Sequence, residues 1–288
     1  MRQYTIAGHT IQISGERLDS LPGFNFFFSE KADNEPLLVI NTETELKDWN
    51  ISPVFTSKYE KIIYDLLVKN NAYLFRMKQP NGSYLLAEIS RRSDNFQAVI
   101  YQAGIFSEPS LHYICWLLFG IAALSRKTVS IHSSAVIYRG KSILFLGESG
   151  TGKSTQARLW LNYIPNTELL NDDSPFVRVE ANGGILAYGS PWSGKTPCYK
   201  NQHTPIAAFV RLSQAPYNRI KQLQGIEAVA ALLPSCPFAF AYEKQLSESI
   251  YSILSLILQQ IPVYHLECLP DAGAVKLVYS TLIQNNFL

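Results

Sequence analysis

The sequence predicts an α/β protein in two parts: a smaller β-rich N-terminal accessory domain over residues 1–106, and a strand–helix alternating domain over residues 107–288. Three observations lead there. The first hundred residues carry short apolar runs of strand length separated by turn residues. After residue 107 the runs alternate between strand and helix lengths. Between one such strand and the helix after it lies a glycine-rich segment, Gly147-Glu148-Ser149-Gly150-Thr151-Gly152-Lys153-Ser154.

In the first part, Tyr4 to Ala7 and Thr10 to Ile13 flank the turn-like pair Gly8-His9. Phe26 to Phe28, Leu37 to Ile40, Tyr73 to Met77, Tyr84 to Ile89 and Ala98 to Tyr101 read as further strands, and Glu60 to Val68 as a helix. Pro80-Asn81-Gly82 predicts a hairpin, because asparagine and glycine tolerate positive φ. This part shows no catalytic constellation. It is either an accessory fold or a module that recruits a substrate or partner.

Ser107-Glu108-Pro109 supplies capping chemistry for an apolar helix from Leu111 to about Ser125, which is read as the first helix of the second domain. Val129 to Tyr138 reads as a strand, Arg139-Gly140-Lys141 as a turn and Ser142 to Leu146 as the next strand. A helix then runs from Ser154 to about Tyr163, and a short strand from Thr167 to Leu170 ends in Asn171-Asp172-Asp173. Phe176 to Val179 and Gly184 to Tyr188 form a hairpin across Ala181-Asn182-Gly183. Strands at Ile206 to Leu212 and Val263 to Leu266, and helices at Glu227 to Leu233, Ser247 to Gln259 and Ala272 to Gln284, complete the pattern.

Composition narrows the function classes. Of 288 residues, 47% are hydrophobic, enough for a substantial core. The formal net charge of +2 gives no case for nucleic acid or a membrane as partner. Cys115, Cys198, Cys236 and Cys268 are widely and unevenly spaced, which argues against a zinc site or a disulfide framework and for reduced thiols. No secretory signal is visible, and the apolar stretch around Ile114 to Leu124 is shorter than the ~20 residues of a membrane span. A soluble cytoplasmic protein is the expectation.

The glycine-rich segment fits Gly-x-x-x-x-Gly-Lys-Ser, the P-loop pattern, with Ile143-Leu144-Phe145-Leu146 as lead-in strand and a helix as lead-out. Its glycines let several N–H groups converge on one anion, and the helix N-terminus adds a favourable partial charge. Gly147, Glu148, Ser149, Gly150, Thr151, Gly152, Lys153, Ser154 and Thr155 are therefore expected to contact the phosphates of ATP. Lys153 reaches the β- and γ-phosphates, and the Ser154 hydroxyl ligates Mg²⁺.

Asp172 and Asp173 follow one helix later. Adjacent side chains at a strand end point to opposite sides, so one carboxylate can serve the metal while the other faces an acceptor hydroxyl. Taken alone, Asn-Asp-Asp would read as a turn. His132, on the strand before the P-loop strand, is either structural or tunes a neighbouring carboxylate.

The segment from His132 to Asp173 resembles the catalytic domain of the HPr kinase/phosphorylase family, which shows a histidine before a Gly-x-Ser-Gly-x-Gly-Lys-Ser loop and an Asp-Asp pair after the next helix. The resemblance spans roughly residues 107 to 285. It implies a P-loop domain of the HPr kinase/phosphoenolpyruvate carboxykinase-like type and transfer of phosphate to a serine hydroxyl. Carried over, Asp172 is the general base near His132, with Lys153 as the third catalytic residue, and Asp173 joins Ser154 on Mg²⁺; the two aspartate roles are interchangeable at this level. The glutamate that bifunctional members carry after the pair, and their proline- and glycine-rich arginine loop, have no placeable counterpart.

Tyr188-Gly189-Ser190-Pro191-Trp192-Ser193-Gly194-Lys195 looks like a feature of bacterial relatives of that family. From its residues alone, it either closes over the phosphates, with Lys195 neutralising charge, or is a surface turn anchored by Trp192. Arg211 and Arg219 are expected mainly in surface salt bridges. The leading expectation is an ATP- and Mg²⁺-dependent kinase acting on a hydroxyl-bearing peptide, protein or small molecule, with a homo-oligomer allowed. A non-catalytic ATP sensor acting through a partner is the alternative, and a carboxykinase the least supported.

Overall fold

The computed structural model describes the chain except residues 16, 19, 31–34, 46–48, 60 and 195. It is a mixed α/β structure that divides into two compact units. One comprises Met1–Arg126 with Ala239–Ser247, the other Lys127–Phe238 with Glu248–Leu288.

The first unit is built on an eight-stranded sheet, in the order β1-β2-β3-β8-β7-β6-β5-β4. Its strands are β1 (Arg2–Ile6), β2 (His9–Ser14), β3 (Leu38–Glu43), β4 (Phe55–Tyr59), β5 (Ile62–Lys69), β6 (Ala72–Lys78), β7 (Tyr84–Arg92) and β8 (Asn95–Ala103). β4 to β8 form an antiparallel meander, whereas β2–β3 and β3–β8 are parallel. Alternation decides which face is covered: Phe96, Ala98 and Ile100 of β8 are buried while Asn95, Gln97 and Val99 are less so. Helix α1 (Glu108–Leu124) is capped by Ser107, whose side chain accepts from the Ser110 N–H, with Pro109 in its first turn. It groups with this unit, which runs past residue 106 to Arg126. Among the described residues no helix is long and apolar enough to cross a membrane.

Two expectations fail here. Phe26 to Phe28 is not a strand: Phe24–Phe27 is a 3-10 turn that buries Phe24 and Phe27, three residues apart, and leaves Phe26 and Phe28 exposed. Glu60 to Val68 is not a helix; Glu60 lies outside the described residues, and the rest falls largely in β5. Asn70 and Asn71, both at positive φ (49° and 61°), turn β5 back onto β6, and pairing on both edges overrides the helical reading.

The second unit carries β9 (Thr128–Ser130), β10 (Ser133–Tyr138), β11 (Lys141–Leu146), α2 (Lys153–Tyr163), β12 (Glu168–Asp173), β13 (Phe176–Val179), β14 (Ile185–Tyr188), β15 (His203–Gln214), β16 (Arg219–Leu223), α3 (Gly225–Leu232) and β17 (Val263–Cys268), ending in α5 (Ala272–Gln284). Helix α4 (Lys244–Leu258) starts in the first unit and continues into the second. The strand order is β12-β10-β11-β15-β14-β13-β9, with β17 also on β15 and β16 on β17. The long β15 makes this branching possible: residues 204–205 and His203 pair with β14, and the segment from Ile206 onward pairs with β11. The expected strand Val129 to Tyr138 is two strands. It breaks at Ile131-His132, whose N–H groups donate to the carbonyls of Pro175 and Ser235 instead of a sheet neighbour. α2 and α5 pack on β10, β11, β15 and β17 through Ala157, Trp160, Val275 and Leu282, against Val136, Phe145, Val210 and Leu266. That burial fixes where the N-terminus of α2 meets the sheet.

Candidate phosphate-transfer site

The register of three strands assembles the site. β10 runs antiparallel between β11 and β12, so its first residues lie beside the last residues of both. Ser133 is opposite Leu146 on one side and Asp173 on the other; Ser134 is opposite Phe145 and Asp172. The glycine-rich loop leaves β11 after Leu146, at the sheet end where the aspartates stand.

The loop has a backbone that only glycine sustains at key points. Gly147 has φ 147°, and a Cβ there would meet the Thr151 hydroxyl at 2.4 Å. Gly152, at φ 107°, precedes α2 directly. Thr151 closes the turn, its Oγ1 donating to the Glu148 carbonyl at 2.8 Å. Lys153 is buried and its ammonium donates to the carbonyls of Gly147 (2.9 Å) and Glu148 (3.1 Å). Burial pushes its pKa down; Asp173 and Asp172 oppose that shift, and Arg211 adds to it. The expected phosphate contacts, Gly147 to Thr155, thus form one loop and one helix start.

The two aspartates face different groups. Asp172 is buried and accepts a short hydrogen bond from the Ser134 hydroxyl, which also lies 3.5 Å from the Ser154 hydroxyl. Directly opposite residues in a sheet share a face, which is why Ser134 and Asp172 meet. Asp173 turns the other way. Its Oδ1 lies 3.3 Å from His132 Nδ1, and its Oδ2 accepts from Ser174 Oγ at 2.9 Å. Burial raises the Asp173 pKa, but the hydrogen bond and charge of His132, the Ser174 hydroxyl and the Lys153 charge outweigh it, so the net shift is downward. His132 therefore lies beside Asp173, the second of the two assignments that the resemblance leaves open.

The segment after β14 is pinned to this acidic strand. Asn171, fully buried, donates through Nδ2 to the carbonyls of Trp192 (3.1 Å) and Ser190 (3.3 Å), while its Oδ1 accepts from the N–H groups of Asp173 (3.1 Å) and Ser174 (2.9 Å). Gly194 N–H donates to the Asp172 carbonyl at 2.7 Å, and a Cβ on Gly194 would press on that same oxygen. Trp192 is buried against Phe176, the packing that one of the two readings of this segment gave it. Lys195 lies outside the described residues.

Arg211, on β15 opposite Leu146, stands beside the loop: its Nη2 is 3.9 Å from Glu148 Oε1 and its Nη1 donates to the Ala231 carbonyl at 3.2 Å. Arg219 instead forms an exposed cross-strand ion pair with Glu267. Ser134 and Asn171 were not singled out from sequence. The signal for Ser134 was two serines inside a strand buried at every position, where polar residues need a stated partner. Among the described residues no group of three or more His, Cys, Asp or Glu side chains forms a metal site. The nearby donors are oxygens, one carboxylate and two hydroxyls, a hard set that suits Mg²⁺ completed by phosphate and water.

No known family model matches the chain, and no curated protein matches it. Among solved structures it is similar to the Hpr(Ser) kinase/phosphatase from Coxiella burnetii, at 13% identity and a TM-score of 0.30, over 55% of this chain and 95% of that one. Similarity at that level is distant, and what the site does rests on its own geometry.

Proposed function

We propose that the second unit binds ATP with Mg²⁺ and transfers the γ-phosphate to a serine-type hydroxyl of a peptide, protein or small molecule. One observation carries this reading: Ser134 ties Asp172 to Ser154 of the P-loop, while Asp173 sits beside it in a separate pairing with His132. A pure nucleotide-binding loop has no use for a second, differently oriented carboxylate at the same strand end.

In this reading the loop N–H groups and Lys153 hold the β- and γ-phosphates. Ser154 and Asp172 would hold the magnesium, which supplies charge neutralisation on the phosphate oxygens when bound. Asp173 accepts the proton of the attacking hydroxyl as its oxygen bonds to the γ-phosphorus and the bond to the β-phosphate oxygen breaks, releasing ADP. His132 positions Asp173. The His132, Ser174 and Lys153 contacts that hold the Asp173 pKa down favour its carboxylate form, the form able to take that proton. Asn171 holds Ser190, Trp192 and Cys198 against the same strand, where they form part of a wall for an acceptor.

The test is transfer of labelled phosphate from ATP to hydroxyl-bearing peptides and metabolites, with Asp173→Asn and Asp172→Asn alongside. Loss of transfer in Asp173→Asn with Mg²⁺-dependent ATP binding retained supports the assignment. Tight Mg²⁺–ATP binding with no transfer to any acceptor, and a partner interaction indifferent to Asp173, would favour a nucleotide sensor.

A further inference from the structure

The sheet of the second unit has two ends, and the candidate phosphate-transfer site uses one. The glycine-rich loop leaves the C-terminal end of β11, and β15 and β17 run parallel to β11. At the opposite end β17 begins, with Val263 beside Phe209 of β15 and Leu223 of β16. A cavity of about 520 Å³ opens there, between that strand end, α3 and α4. Its volume falls within the roughly 300–1,000 Å³ typical of small-molecule sites.

The lining fixes the kind of occupant. Leu223, Val229, Leu254, Ile261 and Phe287 give it apolar surface. No Asp, Glu, Lys, Arg or His stands among its described lining residues. A charged ligand would shed hydration there without gaining a counter-charge, whereas an uncharged one pays no such penalty. Hydrogen bonding comes from the amides of Gln222, Gln224 and Gln259, all at exposed positions; Gln224 stands at the cap of α3 and makes no capping bond with its side chain. An amide both donates and accepts, so it serves a carbonyl, hydroxyl or amide on the ligand.

The same wall leads back to the phosphate-transfer site. Gly225, Ala228 and Val229 of α3 border the cavity. Further along α3 the Ala231 carbonyl accepts from Arg211, whose guanidinium stands beside Glu148 of the glycine-rich loop. α3 then runs directly into the 3-10 turn Leu233–Ser235, and the Ser235 carbonyl accepts from the His132 N–H at 2.7 Å. One continuous segment, Gly225 to Ser235, thus touches the cavity, Arg211 and the backbone of the histidine beside Asp173. A ligand pressing on α3 shifts both carbonyls together, because a short helix moves as one rigid element.

We infer that this cavity is a regulatory binding site for an uncharged, mainly apolar small molecule, whose occupation reaches the glycine-rich loop and His132 through α3. Binding is independent of the phosphate-transfer reading. The coupling ends on residues of that site and is read from backbone exchange, not from activity.

Fluorescence titration of the full chain with Nile red, an uncharged dye, and with anionic 8-anilinonaphthalene-1-sulfonate tests the site. One Nile red per chain is expected to bind saturably, at least tenfold more tightly than the sulfonate. Ser255→Trp and Gln259→Trp each place a large ring at an exposed lining position. Each should melt as the wild type does and weaken Nile red binding about tenfold. No saturable binding, equal affinity for the sulfonate, or either variant within twofold of wild type overturns the site. Concentration-dependent dimerisation in sedimentation that either variant abolishes also overturns it, since a second copy of the chain would then be the occupant. Hydrogen exchange at Nile red saturation tests the link: the His132 amide should change its exchange rate about threefold or more, with β5 to β8 of the first unit unchanged. Unaltered exchange at His132 overturns the coupling. No nucleotide enters these measurements, so failure of the site and failure of phosphate transfer are told apart.

Discussion

Replacing Ser134 by alanine removes one oxygen from a strand that is buried throughout, and its effect can be sized from its partners. The hydroxyl donates to the buried carboxylate of Asp172 and lies 3.5 Å from Ser154 Oγ. A hydrogen bond to a charged group is worth about 1.5–3 kcal/mol, and losing the donor leaves the carboxylate less firmly aimed at Ser154. At about 1.4 kcal/mol per factor of ten, Mg²⁺-dependent ATP affinity should fall roughly ten- to a hundredfold. ATP binding in EDTA should be unaffected, because the loop N–H groups and Lys153 do not involve Ser134. Calorimetric titration with and without Mg²⁺ measures both quantities, and a thermal melt controls for folding. Ser134→Thr keeps the oxygen and a β-compatible side chain, so it should restore most of the metal dependence. The reasoning is refuted if Ser134→Ala melts normally and its Mg²⁺-dependent affinity is unchanged or tighter.

The depressed Asp173 pKa stabilises the fold above the ordinary carboxylate value near pH 4, and that contribution fades as pH falls through the lowered one. Urea titrations should therefore show the stability gap between wild type and Asp173→Asn narrowing from pH 7 to pH 3, and a gap that widens on acidification would contradict the His132 pairing. Asn171→Ala strips the clamp between β12 and the Ser190 and Trp192 carbonyls, at a cost of about 1–3 kcal/mol. Faster amide exchange should appear at Trp192 and Ser174 before the rest of the second unit, and uniform exchange would show that the clamp is not local. Burial lifts the Cys115 and Cys236 thiols to about 12, so neither should react with iodoacetamide at pH 8 until the chain is denatured. Rapid native alkylation at either, located by peptide mapping, would show that the packing around it opens.

Local chemistry made parts of this protein readable from its sequence. The hairpins at Arg139-Gly140 and Asn182-Gly183 and the helix from Ala272 to Gln284 need only nearby residues, and each forms where expected. The segment from Ile62 to Lys69 misled because its length and apolar content suit either state, and pairing with β4 and β6 decided between them. The break at His132 was hidden for a similar reason. Its N–H donates to Ser235, more than a hundred residues away, and no local pattern announces that bond. Ser134 and Asn171 escaped notice because serine and asparagine are ordinary residues until burial and partners give them a task.

The eight contiguous residues from Gly147 to Ser154 were decided by the sequence itself. A loop that folds on its own glycines, between an apolar strand and a helix, carries its geometry in its local φ preferences. The pairing of the carboxylates was decided by tertiary structure alone. Asp172 meets Ser134 and Asp173 meets His132 because Asn171–Asp173 of β12 lie antiparallel to Ser133–Ala135 of β10 in one register, and a slip of one residue there would exchange the faces of both aspartates. That register is set by long-range packing of the sheet against α2 and α5, which the order of residues along the chain does not display.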